Sequence, residues 1–301
     1  MGETLQSIKR FLMKKITQTY YEKKIDDVLQ YIHNHLHENI TIKELSEYAG
    51  ISFFHFHRIV RAALNEPIAS YIDKVRLDTA VKLIRYSDES IKDIATKIGY
   101  NDVSSFSKAF TKEFGISPLE FRSNSEMVLN THVDYRYDSK GKLVSEIKPK
   151  IIILPDKKVV YTKVIGEYGG KEVVEAWDQL MNFINQYKLW GWNTEYYSIY
   201  YDDPDCVGRE NCSSDICFAT KKDVEENDVF KTNLIKGGKY AVFRYKGSYE
   251  RLWDLYDEVY GNWLLSSDYK LRDVPPLEKY VNYTPKTKPE DLLTEIYIPI
   301  E

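Results

Sequence analysis

The hydrophobic positions of the chain follow two different periods. In residues 1–125, apolar residues recur with the 3.6-residue period of helices, whereas β-branched and aromatic runs, punctuated by glycine and proline, dominate after residue 126. The pattern predicts an all-α N-terminal domain and an α+β C-terminal domain. The expected division is a basic N-terminal extension over 1–24, a helical domain over 25–125, a linker over 126–147 with an extra hairpin at 138–141, and a second domain over 148–301.

The helical half contains an internal repeat with an offset of 49 to 50 residues. Thr41 and Ser90 each begin a capping-box pattern, in which a hydroxyl is followed three residues later by an acid. Gly50 and Gly99 then permit a tight helix end, and second helices are predicted over 53–64 and about 102–114. A short helix, a turn with glycine and a second helix make a helix-turn-helix. The repeat therefore predicts two such motifs, joined by a long helix over 69–84.

The second helix of each motif supplies the candidate DNA contacts. Helices that read successive major grooves on one face of DNA lie about 34 Å apart, so a rigid connector would let one chain bind double-stranded DNA as a monomer. Arginine and lysine bond guanine or phosphate, while serine, histidine and aromatic side chains can reach bases or the backbone. The expected exposed positions are Phe54, His55, His57, Arg58 and Arg61 in the first motif, and Val103, Ser104, Ser107, Lys108 and Lys112 in the second.

The end of the repeat carries the most specific motif, which runs from Gly99-Tyr100 through Phe106-Ser107-Lys108 and Phe114-Gly115-Ile116-Ser117-Pro118 to Phe121-Arg122. This motif resembles the closing part of AraC-type DNA-binding domains in their two-motif form, and the resemblance spans about Ile25 to Arg122. Asn65 stands where the first motif usually has glycine, but asparagine tolerates the left-handed conformation. The resemblance implies a cytoplasmic transcription regulator, an activator rather than a repressor, with RNA polymerase as a further partner.

The second half also repeats, with an offset near 80 residues. A strand ending at Gly166-Glu167-Tyr168 leads into a helix over 173–187, and a strand ending at Gly247-Ser248-Tyr249 leads into a helix over 250–265. Two further strands follow each helix. The pattern predicts two β-α-β-β repeats with both helices over one sheet.

These units resemble the GyrI-like small-molecule-binding domain over about Lys148 to Glu301. The Asp202-Asp203-Pro204 turn and the closing run Ile296 to Ile300 support the resemblance. It implies a ligand in the groove between the two helices and the sheet, and a buried glutamate that meets cationic aromatic compounds. The matching acid is Glu278.

The residues around Glu278 support this interpretation. In a strand, Glu278 and Tyr280 face the same side, and Tyr197 occupies the equivalent place in the other repeat, so the site needs one charge. A carboxylate among aromatic rings is costly alone but is a good partner for a cation, and each ring face adds about 0.5–2 kcal/mol. The candidate ligand-binding residues are Glu278, Tyr280, Tyr168, Tyr249, Trp253, Tyr197, Trp177 and Tyr256.

Three alternatives remain open for the second half. Trp177 and Trp253 could be ordinary core residues, with Glu278 in solvent. Glu278 could instead be the general base of a hydrolase of reactive small molecules, fused to a DNA-binding domain. The third alternative is a scaffold that only touches other proteins.

Charge and composition sharpen these expectations. The net charge of −4 is the sum of +2 for residues 1–125 and −6 for the rest, and +2 is low for a DNA-binding domain. Eighteen of the 25 tyrosines and all five tryptophans follow residue 125. Cys206, Cys212 and Cys217 fit no usual zinc pattern, and the chain has no phosphate loop or nucleophile motif. We therefore expect neither an enzyme nor a metal or cofactor site, and the lack of a long apolar run predicts no membrane partner.

Overall fold

The computed structural model describes residues 2–124, 127, 129, 148–191, 194–202, 204–283 and 287–301. The hairpin expected at 138–141 lies outside these residues. Within the described ranges, no helix is long and apolar enough to cross a membrane.

The N-terminal half is helical. The helices are α1 (Gly2–Asn34), α2 (Ile42–Ala49), α3 (Phe53–Leu64), α4 (Ile68–Tyr86), α5 (Ile91–Lys97), α6 (Val103–Phe114) and α7 (Pro118–Ser123). Helices α2 and α3 form the first helix-turn-helix, α5 and α6 form the second, and α4 connects them. Helix α1 is continuous across residue 24, where we expected the N-terminal extension to end.

Local signals fix the ends of these helices. Thr41 and Glu44 form the predicted capping box of α2, and the Ser90 side chain accepts a hydrogen bond from the backbone N–H of Asp93 at the start of α5. Asn65 ends α3 in the left-handed conformation, with φ of 56°. Gly99 also has a positive φ, of 88°, and a Cβ there would overlap the carbonyl oxygen of Leu36.

The C-terminal half contains one eight-stranded sheet. Its strands are β1 (Lys150–Leu154), β2 (Lys157–Ile165), β3 (Glu195–Tyr200), β4 (Ser213–Ala219), β5 (Lys231–Ile235), β6 (Gly238–Lys246), β7 (Leu277–Tyr280) and β8 (Leu293–Pro299). The helices are α8 (Lys171–Gln186), the short α9 (Pro204–Val207) and α10 (Leu252–Glu258), which continues as a π-helical segment, Val259–Leu264. Short 3₁₀ turns lie at Arg209–Asn211, Tyr249–Arg251 and Pro289–Asp291.

The strand order is β1-β6-β8-β7-β3-β4-β2-β5, and all neighbouring pairs are antiparallel. The sheet therefore has two four-stranded halves that meet at the pair β3–β7. The edge strands β1 and β5 are additions to the expected pattern, and they cross over. Strand β1 precedes the first unit but pairs with β6 of the second, and β5 pairs back with β2 of the first.

Both long helices cover the same face of the sheet. Helix α8 packs on β2 and β4 around Leu180, Ile216 and Phe218. Helix α10 and the π-helical segment pack on β6 and β8 around Phe243 and Ile296. The two helices thus flank the central strands β3 and β7, where the sequence predicts a ligand site.

The hydrophobic cores do not follow the boundary between the two halves. The second helix-turn-helix has its own core, which includes Phe106, Phe110 and Phe121. The first motif instead shares one continuous core with the C-terminal half, because Phe56 and Ile59 belong to the same cluster as Tyr260 and Ile298. The first motif is therefore packed against the C-terminal half, whereas the second is stabilised by a core of its own.

Candidate ligand site and domain interface

Glu278 lies in the central strand β7, directly between Ser198 of β3 and Ile296 of β8, on the face that the helices cover. Only 4% of its surface is exposed. The Tyr256 hydroxyl donates a hydrogen bond to its Oε1 at 3.2 Å, and the Tyr280 hydroxyl donates to its Oε2 at 3.0 Å. Glu278 is therefore a buried acid with two phenol donors, and the alternative of a solvated side chain is wrong.

The surroundings of Glu278 place its titration near neutrality. Burial raises the pKa of this carboxyl to about 7, because a buried anion loses its hydration. The hydrogen bonds from Tyr280 and Tyr256 and the positive charge of Arg58 lower the pKa and offset part of this effect. The group can thus be neutral without a ligand and become an anion beside a bound cation.

Aromatic rings form a connected set around this carboxyl. The Tyr280 ring contacts the rings of Trp177 and Tyr249, with centroid separations of 5.6 and 5.5 Å. Trp253 lies 5.8 Å from Tyr256 and stacks with Tyr168 at 6.2 Å. Six of the seven predicted aromatic walls are thus brought together: Tyr168, Trp177, Tyr249, Trp253, Tyr256 and Tyr280.

The prediction for Tyr197 is wrong. The strand register places Tyr197 opposite Lys279 and Ser198 opposite Glu278, so Tyr197 points to the other face of the sheet. There it is fully buried, and its hydroxyl accepts a hydrogen bond from Lys157 at 2.9 Å.

Tyr200 takes a place in the site that the sequence analysis missed. It lies two residues from Ser198 and therefore shares the face of Glu278. Its hydroxyl lies 2.9 Å from that of Tyr280, and its ring centroid is 4.5 Å from that of Tyr168. Period-two alternation in β3 would have found Tyr200 if the pairing of β3 with β7 had been known.

The first helix that the sequence predicts to contact DNA, α3, is covered by the C-terminal half. Its candidate contacts His55, His57 and Arg58 are only 1%, 1% and 5% exposed, and Phe54 and Arg61 are half-buried. The expectation that these positions face solvent is wrong, because α10 and the π-helical segment pack directly on α3. In this arrangement the buried side chains do not reach DNA.

His55 is part of the interface. Its Nε2 lies 3.1 Å from the Arg272 carbonyl oxygen, which can only accept, so Nε2 carries the proton and Nδ1 accepts from the Tyr260 hydroxyl at 2.9 Å. Burial and the nearby charge of Arg58 lower the pKa of His55 to about 3. The neutral imidazole therefore matches both of its partners. His57 also stays neutral, since burial holds its pKa well below the ordinary value.

Arg58 connects the two halves of the molecule. Its guanidinium carbon lies 5.3 Å from the centre of the Tyr256 ring and 6.0 Å from that of Tyr260, distances typical of cation–π contacts. Around it, Arg61 forms a 3.9 Å ion pair with Asp257, and a Cβ on Gly261 would lie 3.3 Å from the Cβ of Ala62. The close approach of the two helices thus depends on a residue without a side chain.

The second helix that the sequence predicts to contact DNA, α6, is not covered in this way. Ser104, Lys108 and Lys112 are exposed, and Val103 and Ser107 are half-buried. The five candidates of the second motif therefore remain at the surface, while three of the five in the first motif are buried.

The cysteines and histidines do not assemble a metal centre in the described part of the chain, where no group of three or more metal-binding side chains occurs. Cys217 is buried in β4, and burial raises the pKa of its thiol well above the ordinary value.

Comparisons with known proteins match both halves. Residues 147–301 match the model of the GyrI-like small molecule binding domain, and residues 45–124 match that of a helix-turn-helix domain. The chain is 34% identical over 104 residues to the uncharacterized HTH-type transcriptional regulator YbfP of Bacillus subtilis (strain 168), covering 35% of each protein. It is 30% identical over 111 residues to the HTH-type transcriptional activator RhaS of Klebsiella pneumoniae (strain 342), covering 37% of this chain and 40% of that one.

The matched regions thus span well under half of these relatives. Among solved structures, the EcmrR C-terminal domain aligns with 52% of this chain and 99% of its own, at 17% identity and a TM-score of 0.43. The family match over 147–301 covers just over half of the chain, and it confirms the resemblance stated from the sequence. The chain belongs to the family of the GyrI-like small molecule binding domain, with an AraC-type helix-turn-helix region before it.

Proposed function

We propose that the protein is a DNA-binding transcription regulator that senses a hydrophobic, cationic aromatic compound through its C-terminal domain. The observation that carries the proposal is the buried carboxyl of Glu278 beneath a set of aromatic rings. The two β-α-β-β units support a duplicated domain with the ligand between its helices. The helix-turn-helix match supports DNA as the other partner.

The preference for a cation follows from the cost of burying a charge. An ionised Glu278 is unfavourable in an apolar groove, and a cation brought to it removes much of that cost. Rings such as Tyr280 and Trp253 present π faces that attract the same cation. A neutral aromatic compound gains the ring contacts but not the charge pairing.

The test compares two probes of similar shape, the cation tetraphenylphosphonium and neutral triphenylphosphine oxide. Glu278→Gln should weaken binding of the cation about tenfold or more, in calorimetry at pH 8.5, and leave the neutral probe within about twofold. Glu295→Gln is the matched control, since Glu295 is a half-buried acid on the neighbouring strand whose partner is Tyr297. Equal loss of both probes in Glu278→Gln would refute the role of charge.

We further propose that the chain binds DNA as a monomer and activates transcription through contact with RNA polymerase. The two helix-turn-helix motifs in one chain support monomeric binding, and the relative named as an activator supports the direction. A promoter–reporter fusion should give a higher signal with the protein and the ligand present. Repression by the liganded protein would contradict this direction.

The competing function is hydrolysis of the ligand, with Glu278 as general base. A sensor returns its ligand unchanged, whereas a hydrolase would open a strained compound by adding water across it. The test therefore incubates the protein with an aromatic epoxide and measures how much of the epoxide and of its diol is recovered. Loss of the compound that depends on Glu278 would favour the enzyme.

A further inference from the structure

One residue belongs both to the ligand site and to the interface between the domains. The hydroxyl of Tyr256 donates a hydrogen bond to Glu278, and its ring lies beneath the guanidinium of Arg58. One turn earlier in α3, the Phe54 ring lies 5.8 Å from that of Tyr201, which follows β3 directly. Through Arg58 and Tyr256, helix α3 therefore contacts the aromatic set that surrounds the carboxyl, whereas Tyr201 belongs to the cluster on the other face of the sheet.

We propose that Arg58 is the resident cation of the Glu278 site, and that a cationic ligand and the DNA-reading helix α3 compete for this site. In the empty protein, α3 is docked and the first helix-turn-helix cannot read DNA. When a cation binds beside Glu278, α3 is released. The chemical class of the ligand rests on the proposed function, whereas the docking of α3 does not.

The competition follows from the charges. Arg58 is nearly buried, and its positive charge is balanced there by the π faces of Tyr256 and Tyr260 and by the negative charge of an ionised Glu278. A ligand cation would take over the carboxylate and would also repel the guanidinium. Since coupling between two binding events is reciprocal, whatever displaces Arg58 must itself bind more tightly when Arg58 is absent.

The polar contacts of the interface can be replaced by contacts with water. The Arg61–Asp257 pair is partly exposed, and such pairs add little stability. His55 holds Tyr260 and the Arg272 carbonyl, and the Tyr21 hydroxyl accepts a hydrogen bond from the Leu271 N–H at 3.1 Å. These groups are polar and can exchange their partners for water. The main cost of release is therefore exposure of the apolar core that Phe56 and Ile59 share with Tyr260, and the differential affinity of the ligand for the released state must exceed that cost.

The first experiment is a double-mutant cycle on the full chain, read by calorimetry with tetraphenylphosphonium at pH 8.5, where Glu278 is ionised. Arg58→Ala should tighten binding about tenfold in the wild-type background and leave it within about twofold in a Glu278→Gln background. Arg61→Ala, which removes an equal charge one turn away, should change affinity less than about twofold. Unchanged or weaker binding in Arg58→Ala would refute the competition.

The second experiment opens the interface without touching Glu278 or the DNA contacts. Gly261→Leu places a side chain against Ala62 and should push α3 away. Without ligand, this variant should show several-fold faster amide exchange in residues 53–64, tighter binding to a random duplex DNA and a steeper salt dependence. Gly191→Leu is the control, because a Cβ at Gly191 meets nothing within 4 Å.

A second variant that opens the interface is needed in case Gly261→Leu does not fold. Asp257 is an exposed residue, so Asp257→Lys should leave the fold intact while it repels Arg61 and Arg58. Both opening variants should also lose the effect of tetraphenylphosphonium on DNA binding. If both variants are folded but show the same amide exchange in residues 53–64 and the same DNA binding as the wild type, the docking of α3 has no regulatory role.

The two proposals fail in different ways. If the wild type does not bind tetraphenylphosphonium, the proposed ligand class is wrong, but the opening variants still test the docked helix without ligand. If the wild type binds the probe through Glu278 and Arg58→Ala has no effect, the sensor stands and the competition is wrong.

Discussion

At the scale of single residues, two buried titratable groups determine how the site responds to pH. Their pKa values are shifted in opposite directions, and each shift favours the neutral form of the side chain. Glu278 is raised to about 7 and His55 is lowered to about 3, in both cases because burial penalises the charged form. Both side chains are therefore largely neutral in the docked, ligand-free protein at pH values a unit or more below 7, and Glu278 becomes ionised as the pH rises through 7. Arg58 is the formal charge left between them.

The pKa of Glu278 predicts a pH dependence of ligand binding. Because a bound cation favours the anion, the carboxyl must lose its proton on binding below pH 7, and affinity for tetraphenylphosphonium should fall about tenfold per pH unit there and level off above pH 7. The other groups that face this carboxyl are Tyr200, Tyr249, Tyr256, Tyr280 and Arg58, whose charges do not change in this range. Calorimetry in buffers of different ionisation enthalpy would count the released proton. A Glu278→Gln variant that keeps the slope would assign it to another group.

The phenol donors predict a second effect at this scale. Tyr280→Phe removes a hydrogen bond to the ionised carboxyl, a type of contact worth about 1.5–3 kcal/mol. The midpoint of the pH profile should therefore move up by about one to two units, with weaker cation binding at pH 7. Tyr197→Phe removes a hydroxyl on the opposite face and should leave the profile unchanged. An unshifted midpoint in Tyr280→Phe would show that its hydroxyl does not stabilise the anion.

At the scale of elements, the helix-turn-helix turns depend on backbone geometry that a few residues supply. Gly99 and Gly115 both have positive φ, but only at Gly99 would a Cβ meet the backbone of another segment, at Leu36. The end of α5 is thus fitted against the end of α1, whereas the end of α6 is open.

This difference predicts unequal costs for the same substitution. Gly115→Ala should lower the free energy of unfolding by about 1 kcal/mol, the usual cost of a left-handed residue with a Cβ. Gly99→Ala adds the overlap with Leu36 and should cost about 3 kcal/mol or more. Urea unfolding of the two variants, followed by circular dichroism, measures both costs. Equal costs in the two variants would mean that the loop after α1 moves away from residue 99 without a loss of stability.

The elements also show what sequence could predict and why the rest escaped it. The capping box at Thr41, the left-handed Asn65 and the strand–turn–helix order are local, so they could be read from neighbouring residues. Tyr197 and Tyr200 exchanged roles because the face of β3 depends on its register with β7, which is a long-range property. The burial of Arg58 depends on how two halves dock, and nothing near Arg58 in the sequence encodes that.

At the scale of the whole molecule, the two helices proposed to read DNA differ in exposure. Helix α3 belongs to the core shared with the C-terminal half, while α6 rests on a separate core and keeps its lysines exposed. A chain that presents one helix can make weak, sequence-tolerant contacts. A chain that presents both can read two grooves.

This asymmetry predicts which substitutions matter in which state. In the ligand-free protein, Lys108→Ala should reduce the salt dependence of duplex DNA binding by about one phosphate contact, and Arg58→Ala should not reduce it. With saturating tetraphenylphosphonium, both should reduce it. Filter binding or fluorescence anisotropy across a salt series gives the slopes. An effect of Arg58→Ala on the ligand-free slope that equals that of Lys108→Ala would show that α3 reaches DNA in the docked state.

The crossed edge strands limit how the C-terminal half can be divided. Since β1 is paired with the second unit and β5 with the first, each unit completes its sheet with a segment that lies in the chain before the other. A cut in the connection between β4 and β5 would leave each fragment holding a strand that its complement needs. Such fragments should reassemble when co-expressed, and neither unit can be lost from the chain or replaced without damage to the other.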